Sequence, residues 1–109
     1  MILDYTAMET THIPNFLGGE GTIHAQMRAD ELGKILKGAL DPGSSIGYHT
    51  HETSSEIIYI LSGTGKVEYD GGEEAVKAGQ CHYCPKGHSH ALINNSDGPL
   101  EFFAVVPNQ

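Results

Sequence analysis

Chain breakers punctuate this sequence at short intervals. Fourteen glycines and five prolines punctuate 109 residues, and no segment of ten or more residues keeps an apolar 3.6-residue period. The pieces between are rich in Ile, Val, Tyr, Phe and Leu and alternate with polar residues, the period of half-buried strands. This spacing predicts strands at Gly21 to Arg28, Lys34 to Leu40, Ile46 to Thr50, Glu56 to Leu61, Lys66 to Tyr69, Glu74 to Lys77, Gln80 to Cys84, Ala91 to Asn94 and Leu100 to Val106. Turn signals separate them at Asp41-Pro42-Gly43, Asp70-Gly71-Gly72, Pro85-Lys86-Gly87 and Asp97-Gly98-Pro99. Many short strands with frequent turns imply an all-β sandwich or barrel over residues 21–109. Residues 1–20 are left as an N-terminal arm or edge strand. They are either mobile or packed on a partner subunit through Ile13, Pro14, Phe16 and Leu17.

The length suits one domain that buries roughly two thirds of its unfolded surface without a disulfide. Fourteen acidic against six basic side chains leave a formal charge of −8, with no basic cluster to neutralise a row of phosphates, so nucleic acid is excluded as an expected partner. Acidity also disfavours anionic membrane surfaces, and no apolar run approaches the about 20 residues of a membrane helix. The opening residues, MILDYTAMETTHIP, lack a basic patch followed by an apolar stretch, so the expected location is the cytoplasm. Cys81 and Cys84 stand as C-x-x-C. On a strand, residues three apart lie about 10 Å apart on opposite faces, beyond the roughly 7 Å reach of a disulfide. No second C-x-x-C completes a zinc site, and the two read as small strand residues.

Two runs carry metal-capable side chains: GSSIGYHTHETSSEIIYILSG from Gly43 to Gly63, and GQCHYCPKGHSHALIN from Gly79 to Asn94. His49 and His51 are two residues apart, so on a strand they share a face while Tyr48 and Thr50 point away. The polar stretch Glu52-Thr53-Ser54-Ser55 reads as a turn that resets the phase. Glu56, Ile58 and Ile60 then share the inner face of the next strand, placing a carboxylate above an apolar floor where a bound cation would offset its charge. His90 arrives from a distant strand. Three imidazoles and one carboxylate suit a divalent transition metal, Zn, Mn, Fe, Ni or Cu, rather than Ca or Mg. A metal preferring six ligands keeps about two positions for water or substrate.

These residues resemble the cupin superfamily. Its first motif, a glycine, five residues, H-x-H, three or four residues, glutamate, six residues and glycine, is met by Gly43, His49, His51, Glu56 and Gly63. Its second, a glycine, five residues, P-x-G, two residues, histidine, three residues and asparagine, is met by Gly79, Pro85, Gly87, His90 and Asn94. The short separation, Thr64 to Ala78, is that of small single-domain bacterial cupins. The resemblance implies a double-stranded β-helix, the jelly-roll barrel, with His49, His51, Glu56 and His90 as metal ligands inside. It also implies turn and scaffold roles for Gly43, Gly63, Pro85, Gly87 and Asn94, and a homodimer that often exchanges N-terminal strands.

The superfamily includes decarboxylases, dioxygenases, isomerases, lyases and non-catalytic binding domains, so the fold selects no reaction. Oxalate-acting members carry an arginine three residues before the first motif histidine. Ile46 holds that place here, and Arg28, the single arginine, is the remaining candidate to hold a carboxylate. The expected function is a metal-dependent enzyme acting on a small carboxylate, carbonyl compound or sugar; the alternative is a non-catalytic metal-dependent module that binds or senses a small molecule. Acid or base candidates outside the ligand set are His82, His88, Tyr83, Tyr59 and Glu52. Ile58 and Ile60 are expected to line the pocket. His82 and Cys84 join them if their face of the strand is the inner one, whereas the opposite twist turns Cys81 and Tyr83 inward.

Overall fold

The computed structural model describes residues 1–109 and contains ten strands and one short 3-10 helix. The strands are β1 (Thr11–Pro14), β2 (Thr22–Asp30), β3 (Gly33–Leu40), β4 (Ser45–Thr50), β5 (Glu56–Ser62), β6 (Thr64–Tyr69), β7 (Gly72–Lys77), β8 (Cys81–Cys84), β9 (Ser89–Ile93) and β10 (Leu100–Pro107), and the helix is Phe16–Gly18. Every strand expected from the alternation forms. The addition is β1, too short and too interrupted by Pro14 to announce itself.

Two antiparallel sheets face each other. One runs β1-β2-β3-β10-β5-β8 and the other β4-β9-β6-β7. The strand that ties the larger sheet together is β10. It pairs with β3 in one unbroken register from Leu100↔Leu40 to Pro107↔Gly33 and with β5 on its other side. Its alternation puts Leu100, Phe102 and Ala104 inside at 0 % exposure, where they meet Leu40, Ile58, Ile60, Val67 and Leu92 in one core. Burial of this kind contributes roughly 1.5–3 kcal/mol for each large apolar side chain.

Glycines act at two kinds of place. Gly63 and Gly87 sit in turns at φ 88° and 90°, the left-handed region that a Cβ disfavours. Gly47 acts through space instead: a Cβ there would stand 2.0 Å from the Leu17 carbonyl oxygen, so its absence lets the N-terminal segment lie against β4. Asn94, wholly buried, joins the two sheets at the same end. Its amide donates to the Leu40 and Gly98 carbonyls at 2.8 and 2.9 Å, and its carbonyl accepts from Ser96.

The first residues include an edge strand of the larger sheet and pack on the chain's own barrel. β1 pairs with β2 from Thr11↔Ala25 to Pro14↔Thr22, and Ile13 and Phe16 pack against the chain's own core. Tyr5 lies edge-on to Phe103, ring centroids 5.7 Å apart, and Gln26 donates to the carbonyls of Tyr5 and Met8. Replacing Gly47 by alanine forces backbone against backbone, which neither side can relieve by a rotamer change. The expected cost is about 1–3 kcal/mol, read as a lower urea midpoint with an unchanged slope.

Candidate metal centre

Four elements deliver the site. His49 comes from β4, His51 from the segment just beyond it, Glu56 from the first position of β5 and His90 from β9. A bulge in β4 makes this convergence work. Ile46 pairs with Leu92 and His49 with His90, so three steps on β4 oppose two on β9. The extra residue turns both Ile46 and His49 inward despite their odd separation. His51 is held by the turn before β9, its N–H donating to the His88 carbonyl at 3.0 Å.

The Nε2 atoms of His49, His51 and His90 form a near-equilateral triangle with sides of 3.1, 3.0 and 3.1 Å. The Glu56 Oε1 lies 3.0 Å from His51, 2.9 Å from His90 and 3.8 Å from His49. Neighbouring ligands about 2.1 Å from an octahedral ion stand roughly 3.0 Å apart, so the donor set fits one transition-metal ion. The opposite ring nitrogens are occupied. Nδ1–H of His49 donates to the Gly47 carbonyl at 2.7 Å, Nδ1 of His51 meets Ser54 Oγ at 2.8 Å, and Nδ1 of His90 meets Nε2 of His82 at 3.0 Å. An imidazole whose Nδ1 carries the proton presents a lone pair at Nε2, and three such lone pairs plus a carboxylate converge on one point.

The electrostatics agree. Burial drives the Glu56 pKa up, but hydrogen bonds from His49, His51 and His90 outweigh it and hold this carboxyl well below the usual range. Burial pulls His49 down, and the hydrogen bond to Glu56, the Gly47 carbonyl and the Glu56 charge leave it raised overall, with Lys34 acting against them. Protons and a metal ion compete here for the same lone pairs.

His82 and Cys84 occupy the inner face of β8 at 7 % and 0 % exposure, while Tyr83 is 56 % exposed outside. His82 sits behind His90, and burial, then the His90 charge, lowers its pKa. A second group, His82, Cys84 and His90, also clusters within 4.8 Å. It shares His90, and burial followed by the Glu56 and Asp70 charges pushes the Cys84 thiol up to about 11, which disfavours the thiolate a metal needs.

A cavity of about 300 Å³ adjoins His49, His51 and Glu56. Ile58, Ile60, His82 and Cys84 do not line it. Ile58 and Ile60 lie under the cluster, packed across from Ala104 and Phe102. The walls come instead from β2, β3 and the N-terminal segment, including Ile13, Phe16, Leu17, Met27 and Lys34. Lys34 was detectable by its parity with Leu36 and Leu40; the N-terminal wall had no sequence signal. Arg28 is exposed on the outward face of β2 and does not reach the cavity. Tyr59 is outward, Glu52 is exposed, and His88 pairs with Asp70 and lies 3.3 Å from the Tyr69 hydroxyl.

A family model described as "Cupin domain" matches residues 36–106. This chain belongs to the cupin family. It is 31% identical to a protein of Thermotoga maritima named oxalate-binding protein, over 97% of this chain and 93% of that one. An uncharacterised protein of Methanocaldococcus jannaschii is also 31% identical, over 85% of this chain and 78% of its own. Among solved structures, one from Thermotoga maritima described as a predicted oxalate decarboxylase superposes with a TM-score of 0.94 at 30% identity, covering all of both chains. The cupin barrel thus carries a His/Glu cluster that could hold a metal, and the Thermotoga maritima matches bear names tied to oxalate.

The two cysteines of this cupin differ in access, since Cys81 is exposed and Cys84 buried. Ellman titration is expected to find at most one thiol per native chain and two after denaturation. Two fast-reacting thiols in the native protein would contradict the assignment of the β8 face.

Proposed function

We propose that His49, His51, Glu56 and His90 bind one divalent transition metal, Zn, Mn, Fe, Ni or Cu, and that the chain uses it to take up a small carboxylate-bearing metabolite. The observation that carries this reading is the convergence of three Nε2 atoms whose Nδ1 partners are all engaged elsewhere. A metal there would act as a Lewis acid toward a coordinated carboxylate. Ser54, Gly47 and His82 would orient the three imidazoles, contacts typically worth 10–100-fold in metal affinity. The oxalate-binding name of a 31% identical relative supports a carboxylate ligand. With Ile46 in the arginine position, Lys34 supplies the cation at the cavity.

Binding without turnover is favoured over general acid–base catalysis by one feature of the lining. Outside the four ligands its only titratable side chain is Lys34. The enzymatic reading rests on chemistry at the metal, and product formation from a bound carboxylate would establish it.

Elemental analysis after dialysis is expected to find one metal per chain at neutral pH, lost as pH falls through the ordinary imidazole range near about 6.5. Because the metal-free His49 pKa is raised, protons begin to win that nitrogen at a pH above this value. His51→Ala should lose stoichiometric metal and retain the β circular dichroism spectrum. A chain that stays metal-free at neutral pH with metal supplied would sink the reading.

We also infer a homodimer through the outer face of the larger sheet. Ile35, Val105, Ile57 and Tyr83 form one row across four strands, and Phe103, Tyr59 and Cys81 a second beside it. Ile57, Tyr59 and Tyr83 are 39 %, 44 % and 56 % exposed, a contiguous apolar patch of the kind that marks an interface. Two free cysteines fit the reducing cytoplasm. Light scattering should give a dimer mass for the native chain and a monomer mass for Ile57→Asp/Tyr59→Asp; a monomeric native chain contradicts the assignment.

A further inference from the structure

The cavity beside the cluster has walls that oxalate does not explain. At about 300 Å³ it matches the lower end of small-molecule sites, and nine of its sixteen lining residues are hydrophobic. A ligand made of two carboxylates and nothing else would leave those side chains facing water. It would also bring two negative charges to a site whose only side-chain cation is Lys34.

The apolar wall is built into the fold. Leu17 is held at φ 52°, a left-handed conformation unusual for a branched residue. Its carbonyl fills the space where a Gly47 side chain would stand. Gly19 presses equally close, since a Cβ there would lie 2.1 Å from the Ser45 carbonyl oxygen. These contacts fix Phe16 and Leu17 against β4, while Met27 reaches the same cavity from β2.

The polar contribution is equally specific. Lys34 takes part in none of the chain's salt bridges, and it lines the same cavity as His49. It is exposed and unpaired at the solvent-facing edge of the apolar chamber, in a protein of net charge −8.

We propose that the site selects a 2-oxo or 2-hydroxy monocarboxylic acid with a branched or aromatic side chain. Its carboxylate faces Lys34, the neighbouring oxygen faces the metal, and its apolar body lies against Phe16, Leu17 and Met27. This rests on the metal reading above and names its ligand class. One carboxylate meets one lysine, and the apolar body removes wall and ligand surface from water together.

Isothermal titration of the full chain loaded with Zn or Mn tests it with oxalate, pyruvate, 4-methyl-2-oxopentanoate and phenylpyruvate. The branched acid is expected to bind roughly 10- to 100-fold more tightly than pyruvate, from its additional buried methylene equivalents, and more tightly than oxalate. Leu17→Ala, at a half-exposed position, should narrow the branched-to-pyruvate ratio at least about threefold with metal content unchanged. Lys34→Met should weaken both 2-oxo acids about tenfold, and Lys34→Arg should restore most of the loss. Oxalate binding as tightly as the branched acid, or affinities indifferent to Lys34→Met, would overturn the assignment. Metal content of the same samples separates the two readings: a chain that takes up no metal overturns both, and a loaded chain that prefers oxalate overturns the ligand class alone.

Discussion

A buried carboxylate facing three imidazole nitrogens at 2.9 to 3.8 Å is the constraint around which this barrel is arranged. Glu56 is 6 % exposed above an apolar floor, and an uncompensated charge at such a place costs several kcal/mol. The chain offers no lysine or arginine to pair with it. Compensation must come from protons on the imidazoles or from a cation held in their place, so the same geometry that solves a stability problem creates a place for a cation. Delivering the four groups takes strands from both sheets, so the cluster is complete only where the two sheets meet.

Gly47 links that centre to the cavity wall. Its carbonyl accepts from Nδ1 of His49, and its missing side chain makes room for the Leu17 carbonyl. The bulge in β4 falls at this same point, between Ile46 and His49. One residue therefore aims an imidazole, seats the N-terminal segment and resets the facing of the strand. Any shift of Leu17 must be felt through the backbone that orients His49.

Charge is unevenly distributed between the surface and the cavity mouth. Acidic side chains dominate the chain as a whole, while the cavity carries Lys34 and the one carboxylate already engaged by histidines. A lone lysine at the cavity mouth makes that opening less negative than the chain as a whole. The apolar rows on the outer sheet face stand apart from this arrangement, and a partner surface there leaves the cavity untouched.

Strand positions and the four clustering side chains were legible in the sequence because both depend on local rules. Alternation marks the faces of a strand, and breakers mark its ends. His49 and His51 share a face by parity, the turn at Glu52 to Ser55 brings Glu56 into the same interior, and the resemblance to the two cupin motifs tied His90 to them. What the sequence alone determined was therefore the all-β class, the sidedness of most strands and the four side chains that cluster. The tertiary structure decided which face of β8 turns inward, that Ile58 and Ile60 lie beneath the cluster rather than in the cavity, that Arg28 points away, and that Ile13, Phe16 and Leu17 close the chamber of their own chain. Each of these depends on twist, register and the distance between elements far apart in the chain, which local alternation does not encode.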